Sequence, residues 1–405
     1  MERDTTDSRA AWMRLGMTLL TGTVINAGMW AIIVIMPAVE AEFGSTRAMS
    51  SMPYVLTMIG FALGNYFIGR AVDRFGVTLS LIAAAVMAAL GYALATLAGS
   101  VVFLSAAQLI IGFASAVGFG PLIADISHWF ERRRGIAVAI VASGNYLSGA
   151  IWPIILAGVL ADSGWRSVYL VMAVLTPMAV VPLALALRAR VSEETTARAE
   201  QVSAQNAASA GLSPRALQYL LGFAGIACCM AMAMPQVHIV ALCVGLGYGP
   251  AVGAQMLSIM LLGGVVSRIL SGLVADRLGG VRTLLIGSVL QTVALFLYLP
   301  AGDMVSLYIV SLIFGLSQGG IIPSYALVVR QYMPAREAGS RVGFVMMATV
   351  LGMALGGWVS GLIYDLSGSY RMAFINGIGW NMLNIAIIVW LIARSRPRRV
   401  APVAA

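Results

Sequence analysis

The feature that most constrains this chain is a series of long uncharged segments. Stretches of about 20 residues without Asp, Glu or Arg recur along all 405 residues. The sequence is 60% hydrophobic and only 10% charged, which is too little polar surface for a water-soluble protein of this size. Because about 20 apolar residues in a helix cross a hydrocarbon layer, the chain is predicted to be an all-α integral membrane protein with several spans.

Hydropathy predicts twelve transmembrane helices, so both termini lie on one side of the membrane. Only Arg47, Arg166 and Arg371 lie in loops on the other side, and the positive-inside rule therefore predicts cytoplasmic termini. All 25 basic residues are arginine, which favours a GC-rich bacterium and hence its inner membrane. The net charge of +9 is explained by these loops and not by nucleic-acid binding. The spans are predicted near 13–38, 50–71, 78–97, 101–128, 135–160, 166–187, 216–244, 251–275, 281–300, 304–330, 340–364 and 371–393.

The two halves of the sequence resemble each other. GRAVDRFG at 69–76 matches GLVADRLG at 272–279, an offset of 272 − 69 = 203 residues. Such a parallel duplication of six spans is known in transporters that rock two rigid bundles about a central site. We therefore expect an N-terminal bundle over 1–188, a polar cytoplasmic linker over 189–214 and a C-terminal bundle over 215–405. The linker composition shows no apolar face to bury.

The repeated G-x-x-x-D-R-x-G motif resembles the loop signature of the major facilitator superfamily. That resemblance implies twelve helices in two six-helix bundles. It also implies that Asp73 and Asp276 cap neighbouring helix ends, with Arg74 and Arg277 beside them, as a latch that favours one state. Within the superfamily, HWFERRRGIAVAIVASG, MPQVHIV and SRILSGLVADRLGG are similar to the monocarboxylate transporter and oxalate–formate antiporter branch.

Arg268 is the strongest candidate for a substrate ligand. It lies about five residues past the centre of predicted span 8, roughly 7.5 Å along the helix axis, with small residues at helical spacing. Its stem could snorkel to the headgroups, but a charge within a span is by default a functional hypothesis. A guanidinium matches a carboxylate with two donors and stays charged. Its counterpart at the 203-residue offset is Asn65.

The number of buried cations restricts the cargo. Residues 342–364 hold no basic residue, whereas relatives that carry a dicarboxylate are expected to supply a second cation there. One cation favours one carboxylate, so we expect a lactate- or pyruvate-like monocarboxylate, with protons co-transported. Animal monocarboxylate carriers have a lysine near Trp30 and an acid near Gly264, so their proton mechanism does not transfer directly and anion exchange stays open.

Further candidates are polar or aromatic residues near span centres. Predicted pocket residues are Asn26, Trp30, Asn65, Phe119, Asn145, Tyr146 and Gln318. His238, near the outer end of span 7, is a candidate for coupling or an outer gate, with helix-end polarity as the alternative. Asp125 is expected to form a structural ion pair near His128 and Arg132, with proton carriage as the alternative.

Other functions receive less support. The sequence has no Walker-type phosphate loop, no metal-ligand spacing and no nucleophile–base set, so neither an enzyme nor a cofactor is predicted. A sensor would need a larger soluble domain. The remaining alternatives are an organic-anion exchanger and an efflux carrier for an uncharged or amphipathic compound. The protein is expected to act as a monomer in the lipid bilayer.

Overall fold

The computed structural model describes residues 6–44, 47–210 and 212–394, so the outer limits of the predicted bundles, residues 1 and 405, lie outside it. The described chain folds into fifteen α-helices joined by short connections. They are α1 (Arg9–Ile25), α2 (Ala27–Phe43), α3 (Arg47–Phe75), α4 (Val77–Thr96), α5 (Val101–Ser115), α6 (Gly120–Ile126), α7 (Arg134–Ala186), α8 (Glu193–Ala210), α9 (Pro214–Gly245), α10 (Pro250–Leu278), α11 (Gly280–Tyr298), α12 (Met304–Gln318), α13 (Ile321–Tyr332), α14 (Ala338–Ser367) and α15 (Tyr370–Arg394).

Eleven segments of the described chain are long and apolar enough to cross a membrane. One of them, α7, has 53 residues and contains a left-handed backbone at Gly164 (φ 78°, ψ 171°), so it forms two spans. Spans 1, 4 and 10 are each built from two helices, α1 with α2, α5 with α6, and α12 with α13. The prediction of twelve transmembrane helices is therefore confirmed.

Apolar side chains cover the outside of the protein. Leu366, Ile154 and Met178 are 81%, 77% and 71% exposed. This exposure is costly in water but favourable against lipid tails, where helices satisfy their own backbone hydrogen bonds. The surface is therefore that of a membrane-embedded helical protein.

The internal duplication extends to the packing of helices. A Cβ placed on Gly112 of α5 would lie 2.1 Å from the carbonyl oxygen of Thr57 on α3. A Cβ on Gly315 of α12 would lie 2.1 Å from the carbonyl oxygen of Met260 on α10. Both residues of the second pair follow the first by 203 positions, since 315 − 112 and 260 − 57 give the same value. Close helix crossing thus requires glycine at equivalent places in both bundles.

Two transmembrane helices are interrupted at corresponding depths. A 3₁₀ turn at Ala116–Gly118 separates α5 from α6, and Phe119 beyond it has φ −124° and ψ −99°. In the second half, α12 ends at Gln318 and α13 begins at Ile321. The breaks are related by the repeat, since 319 − 116 = 203. Interrupted helices free backbone groups within the membrane and are typical of transporter binding regions.

The linker is helical and contacts the second bundle. Residues 193–210 form α8, because Ala, Glu, Gln and Arg favour helix. The side chain of Asn206 donates a 2.9 Å hydrogen bond to the carbonyl oxygen of Gln331 on α13. The end of the molecule that carries this linker is called the linker face below. It also holds the ends of α3, α6, α10 and α13 and the starts of α7 and α14.

Candidate functional site

Arg268 lies buried between the two bundles. Only 2% of it is exposed, although it carries a charge in the apolar part of α10. Its Nε donates to the carbonyl oxygen of Gly319 at 3.2 Å, and Nη1 donates to that of Ala142 at 2.5 Å. Its guanidinium carbon lies 3.6 Å from the ring centre of Tyr146. The side chain therefore spans from the second bundle to α7 of the first and is enclosed by protein.

The charge of Arg268 has no carboxylate partner within salt-bridge distance among the described residues. The break between α12 and α13 supplies one of its acceptors, Gly319. Two of the five N–H donors of the guanidinium bind backbone carbonyls, which leaves donors on Nη1 and Nη2 for a further acceptor. A buried cation held only by neutral groups is a site that an anion would stabilise.

Four other predicted pocket residues carry buried polar atoms that lack a hydrogen-bond partner in the described structure. Two are acceptors, Oδ1 of Asn26 and Oδ1 of Asn145, and two are donors, Nε1 of Trp30 and Nε2 of Gln318. Buried polar groups are nearly always paired, by water or ligand where the protein does not suffice. These atoms are therefore available to bound water or to a polar ligand.

Tyr146 and Gln318 lie beside Gly264, which precedes Arg268 by about one turn of α10. A Cβ placed on Gly264 would lie 3.3 Å from Cε2 of Tyr146 and 3.7 Å from Nε2 of Gln318. The carbonyl Oε1 of Gln318 accepts a 2.8 Å hydrogen bond from Gln236 on α9. Sequence reasoning missed Gln236, whose only signal was an amide in an apolar span. Gly264 thus provides space between the phenol ring and the amide.

Asn65 and Phe119 support the interrupted span 4 instead of offering free polar groups. The Nδ2 group of Asn65 donates to the carbonyl oxygen of Phe61 at 2.8 Å, and its Oδ1 accepts from the amide of Gly120 at 3.0 Å. The ring of Phe119 packs against Phe61 with centroids 6.0 Å apart. Both ends of the Asn65 amide are engaged within the first bundle, and its place in the pocket stays a prediction. As the repeat counterpart of Arg268, it contacts the equivalent helix break.

Two aspartates join the bundles at the linker face. Asp73 of α3 accepts hydrogen bonds of 2.7 Å from the amides of Gly339 and Ser340 at the start of α14. The carboxylate therefore binds unpaired donors at a positive helix end of the other bundle.

Asp276 makes the reciprocal contact from the second bundle. Its carboxylate accepts from the amides of Gly135 and Ile136 at the start of α7, at 2.5 and 3.1 Å. The neighbouring Arg74 and Arg277 are exposed, and Arg74 lies over the ring of Phe75 instead of against Asp73. Of the four motif residues, Asp73 and Asp276 and not the two arginines make hydrogen bonds between the bundles.

The hydrogen bonds between the bundles lie in one half of the described structure. They involve the linker-side parts of α3, α7, α10, α13 and α14, including the Arg268 contact near mid-depth. His238 lies in the other half, where its Nε2 is 2.8 Å from the carbonyl oxygen of Gly357 and its Nδ1 is 3.4 Å from the hydroxyl of Tyr370. These partners belong to its own bundle. The described state is therefore closed at the linker face, and His238 makes no contact that closes the opposite face.

Asp125 forms an ion pair, but with a different partner from those expected. Its Oδ2 lies 2.8 Å from Nη2 of Arg14, whose side chain is 4% exposed. Arg14 also donates from Nη1 to the carbonyl oxygens of Leu187 and Ala189 at 3.0 and 3.1 Å. Arg132, one expected partner, is exposed at the surface. Arg14 stands at the start of an apolar segment and resembles a loop charge in the sequence, so this pairing was not predicted.

Arg330, the last residue of predicted span 304–330, is a third buried arginine besides Arg268 and Arg14. It is 5% exposed, and its Nη2 lies 3.3 Å from Nδ1 of His128 in the first bundle. Its Nε and Nη1 are buried without a hydrogen-bond partner among the described residues. The available signal for its burial was its position inside the apolar segment Met304–Tyr332, within four residues of the end.

A cavity of about 520 Å³ lies at the linker face, away from Arg268. Asp73, Asp125 and His128 line it together with Arg188 and Arg190. It lies beside the contacts that close this face and is not the predicted substrate site.

Comparison with known proteins agrees with this architecture. The Major Facilitator Superfamily model matches residues 18–340 and 245–405. Monocarboxylate transporter 13 of Rattus norvegicus is 26% identical over 323 residues, which cover 76% of this chain and 74% of that protein. An MFS-type transporter of Gibberella moniliformis is 25% identical over 359 residues, covering 86% and 83%. The structure of the E. coli fucose:proton symporter matches with a TM-score of 0.71 at 13% identity, covering 96% of this chain and 100% of that one.

The match of the family model to most of the sequence confirms the superfamily predicted from the repeated motif. The shared fold confirms two bundles of six helices. Both findings concern transporters, which agrees with the lack of enzymatic motifs. The chain belongs to the major facilitator superfamily of secondary transporters.

Proposed function

We propose that this transporter moves a small organic monocarboxylate and that Arg268 binds the carboxylate. The observation that carries the proposal is a guanidinium, 2% exposed between the bundles, with no carboxylate partner among the described residues. An anionic cargo would supply the missing charge. Free donors on Nη1 and Nη2 permit this without breaking the existing bonds to Ala142 and Gly319.

The position of Arg268 suits alternating access. It is carried by the second bundle and contacts Ala142 and Tyr146 of the first. Rocking of the bundles at the linker face would change these contacts while the bond to Gly319 moves with its own bundle. Cargo bound at Arg268 would therefore be held at the joint between the moving parts, where its binding energy can favour one arrangement over another.

The cargo is expected to carry one carboxylate. Helix α14 contributes no basic residue between 342 and 364, and a second unpaired carboxylate within the membrane would cost several kcal/mol. The relative named monocarboxylate transporter 13 supports the same cargo class. The orphaned atoms of Asn26, Trp30, Asn145 and Gln318 would then bind the remaining polar groups of the acid. We propose proton co-transport, with anion exchange as the alternative.

A second candidate function follows from the bonds that Arg268 already makes. Because two of its donors bind backbone carbonyls of different bundles, the residue could serve only to join the bundles. The cargo would then be uncharged or amphipathic, as in an efflux carrier. Under either function we propose a monomer in a bacterial inner membrane. The linker face, both termini and the junctions near residues 188 and 214 would be cytoplasmic, by the positive-inside rule.

Transport by the purified protein in proteoliposomes separates these candidates. Uptake of radiolabelled lactate is compared with uptake of lactamide, which has nearly the same shape but no charge. We expect the acid to be preferred and Arg268→Lys to reduce its uptake at least tenfold, because an ammonium lacks the planar pair of donors. Arg282→Lys, at an exposed arginine of the linker face, is the control. Equal transport of acid and amide across a panel of such pairs would contradict the proposal.

A further inference from the structure

The contact between His128 and Arg330 joins the bundles at the linker face. His128 lies between α6 and α7 of the first bundle, and Arg330 lies in α13 of the second. Their atoms Nδ1 and Nη2 are 3.3 Å apart. A guanidinium can only donate hydrogen bonds, so Nδ1 of His128 must be the acceptor and must carry no proton. The closed linker face therefore contains a neutral histidine.

We infer that His128 is a proton-binding site that controls opening of the linker face, with protonation favouring the open state. A proton on Nδ1 would remove the only acceptor that Arg330 has among the described residues and would place two cations in contact. The buried guanidinium already lacks partners for Nε and Nη1 and forms no ion pair among the described residues, so the cost of burying its charge opposes closure. Loss of its single bond would shift the balance towards separation of the bundles.

The charges around His128 reinforce this effect. Arginines face it from three helices, Arg330 on α13, Arg134 on α7 and Arg14 on α1. Burial of the imidazole first, and then these charges, hold the pKa of His128 well below its ordinary value in the closed state. Of the two acids three residues away along the chain, Asp125 is engaged by Arg14 and Glu131 is exposed.

Glu131, Asp7 and Asp276 lie close to Arg134. Other charged groups on this side line the neighbouring cavity. They are Asp73, which is bound to the start of α14, and the exposed Arg74, Arg188, Arg190 and Arg336. His128 itself lines the same cavity of about 520 Å³, which gives water on the linker side a route to the imidazole. Protons would thus arrive from the linker face.

This proton differs from one carried across the membrane. Because closure requires neutral His128, the residue cannot hold a proton while the linker face is shut and the opposite face is accessible. It can only report the pH at the linker face. Acid there would retain the transporter in the linker-open state and slow its return, whatever the cargo.

The sign and size of the pH effect follow from linkage. Opening would carry Arg330 away with the second bundle, so we expect the imidazole of the open state to bind a proton at a higher pH than that of the closed state. Below that higher pH the open state binds a proton that the closed state excludes. The ratio of open to closed molecules is then expected to rise by up to about tenfold for each further unit by which the pH falls.

Distances between spin labels across the linker face test the inference on the full-length protein in lipid nanodiscs, without any cargo. Labels are attached to Arg132→Cys and Arg282→Cys, exposed positions in the first and second bundles. The three native cysteines are buried. We expect the long-distance population to increase as the pH falls from 8 to 5. His128→Asn, which offers a neutral acceptor at all pH values, should stay closed.

Two variants complete the experiment. Arg330→Gln removes the cation but keeps a donor, so it should weaken the pH response, and it tests the same contact if His128→Asn does not fold. His238→Asn changes the other histidine, which binds Gly357 within its own bundle, and should retain the full response. A pH response that persists in both His128→Asn and Arg330→Gln, or that is absent from the wild type, would overturn the inference.

Discussion

Replacement of Asp73 by asparagine should open the linker face. The carboxylate accepts two hydrogen bonds of 2.7 Å, from the amides of Gly339 and Ser340, and these bonds join α3 to α14 across the bundles. Asparagine keeps one acceptor oxygen but loses the negative charge at the helix end. Because a hydrogen bond to a charged group contributes about 1.5–3 kcal/mol, the loss of one such bond should change the ratio of open to closed molecules by about 10- to 150-fold.

The control for this variant is an aspartate in the same chemical setting within one bundle. Oδ1 of Asp303 accepts a 3.0 Å hydrogen bond from the amide of Ser306 at the start of α12. Asp303→Asn should weaken that helix end without affecting the bundle interface. Spin-label distances across the linker face at pH 8 report both variants. An unchanged distance distribution in Asp73→Asn, or an equal change in Asp303→Asn, would refute the assignment of Asp73 to closure.

Two further predictions concern stability, each measured as a shift of the thermal unfolding midpoint in detergent. Arg14→Gln leaves Asp125 without its ion-pair partner and should destabilise the protein by about 3–5 kcal/mol, whereas Arg9→Gln, at an exposed arginine, should have little effect. Equal midpoints would show that the pair does not stabilise the fold. Gly112→Ala places a methyl group against α3 and should cost about 1–3 kcal/mol, while Gly16→Ala, with no atom within 4 Å of the new methyl group, should be neutral. An unaffected Gly112→Ala protein would mean that the helices can separate freely.

Most of the fold could be predicted from the sequence because lipid restricts the possible structures. Uncharged segments of membrane length, a 203-residue repeat and a repeated loop motif were enough to predict twelve helices in two bundles. The buried position of Arg268 was also predictable, since its neighbours at helical spacing are small. Close contacts such as that between Gly112 and Thr57 recur 203 residues later, so they follow the repeat that the sequence shows.

The polar contacts of the site depended on packing that the sequence does not display. Arg14 and Arg330 stand at the ends of apolar segments, where an arginine usually extends into water, yet both are buried. Their partners lie 111 and 202 residues away along the chain. The bonds of Arg268 to backbone carbonyls required the helix break at Gly319, whose geometry follows from its neighbours. Local sequence shows a charge but not which group will face it.

The most direct test of the central claim is a double-mutant cycle between Arg268 and the carboxylate of the cargo. Dissociation constants are measured by calorimetry for the best acid and its amide, with the wild type and with Arg268→Gln. If the guanidinium binds the carboxylate, the wild type should favour the acid by about 1.5–3 kcal/mol more than the variant does, or about 10- to 150-fold in affinity. Coupling below about 0.5 kcal/mol would show that Arg268 and the carboxylate do not interact, and would contradict the proposed function.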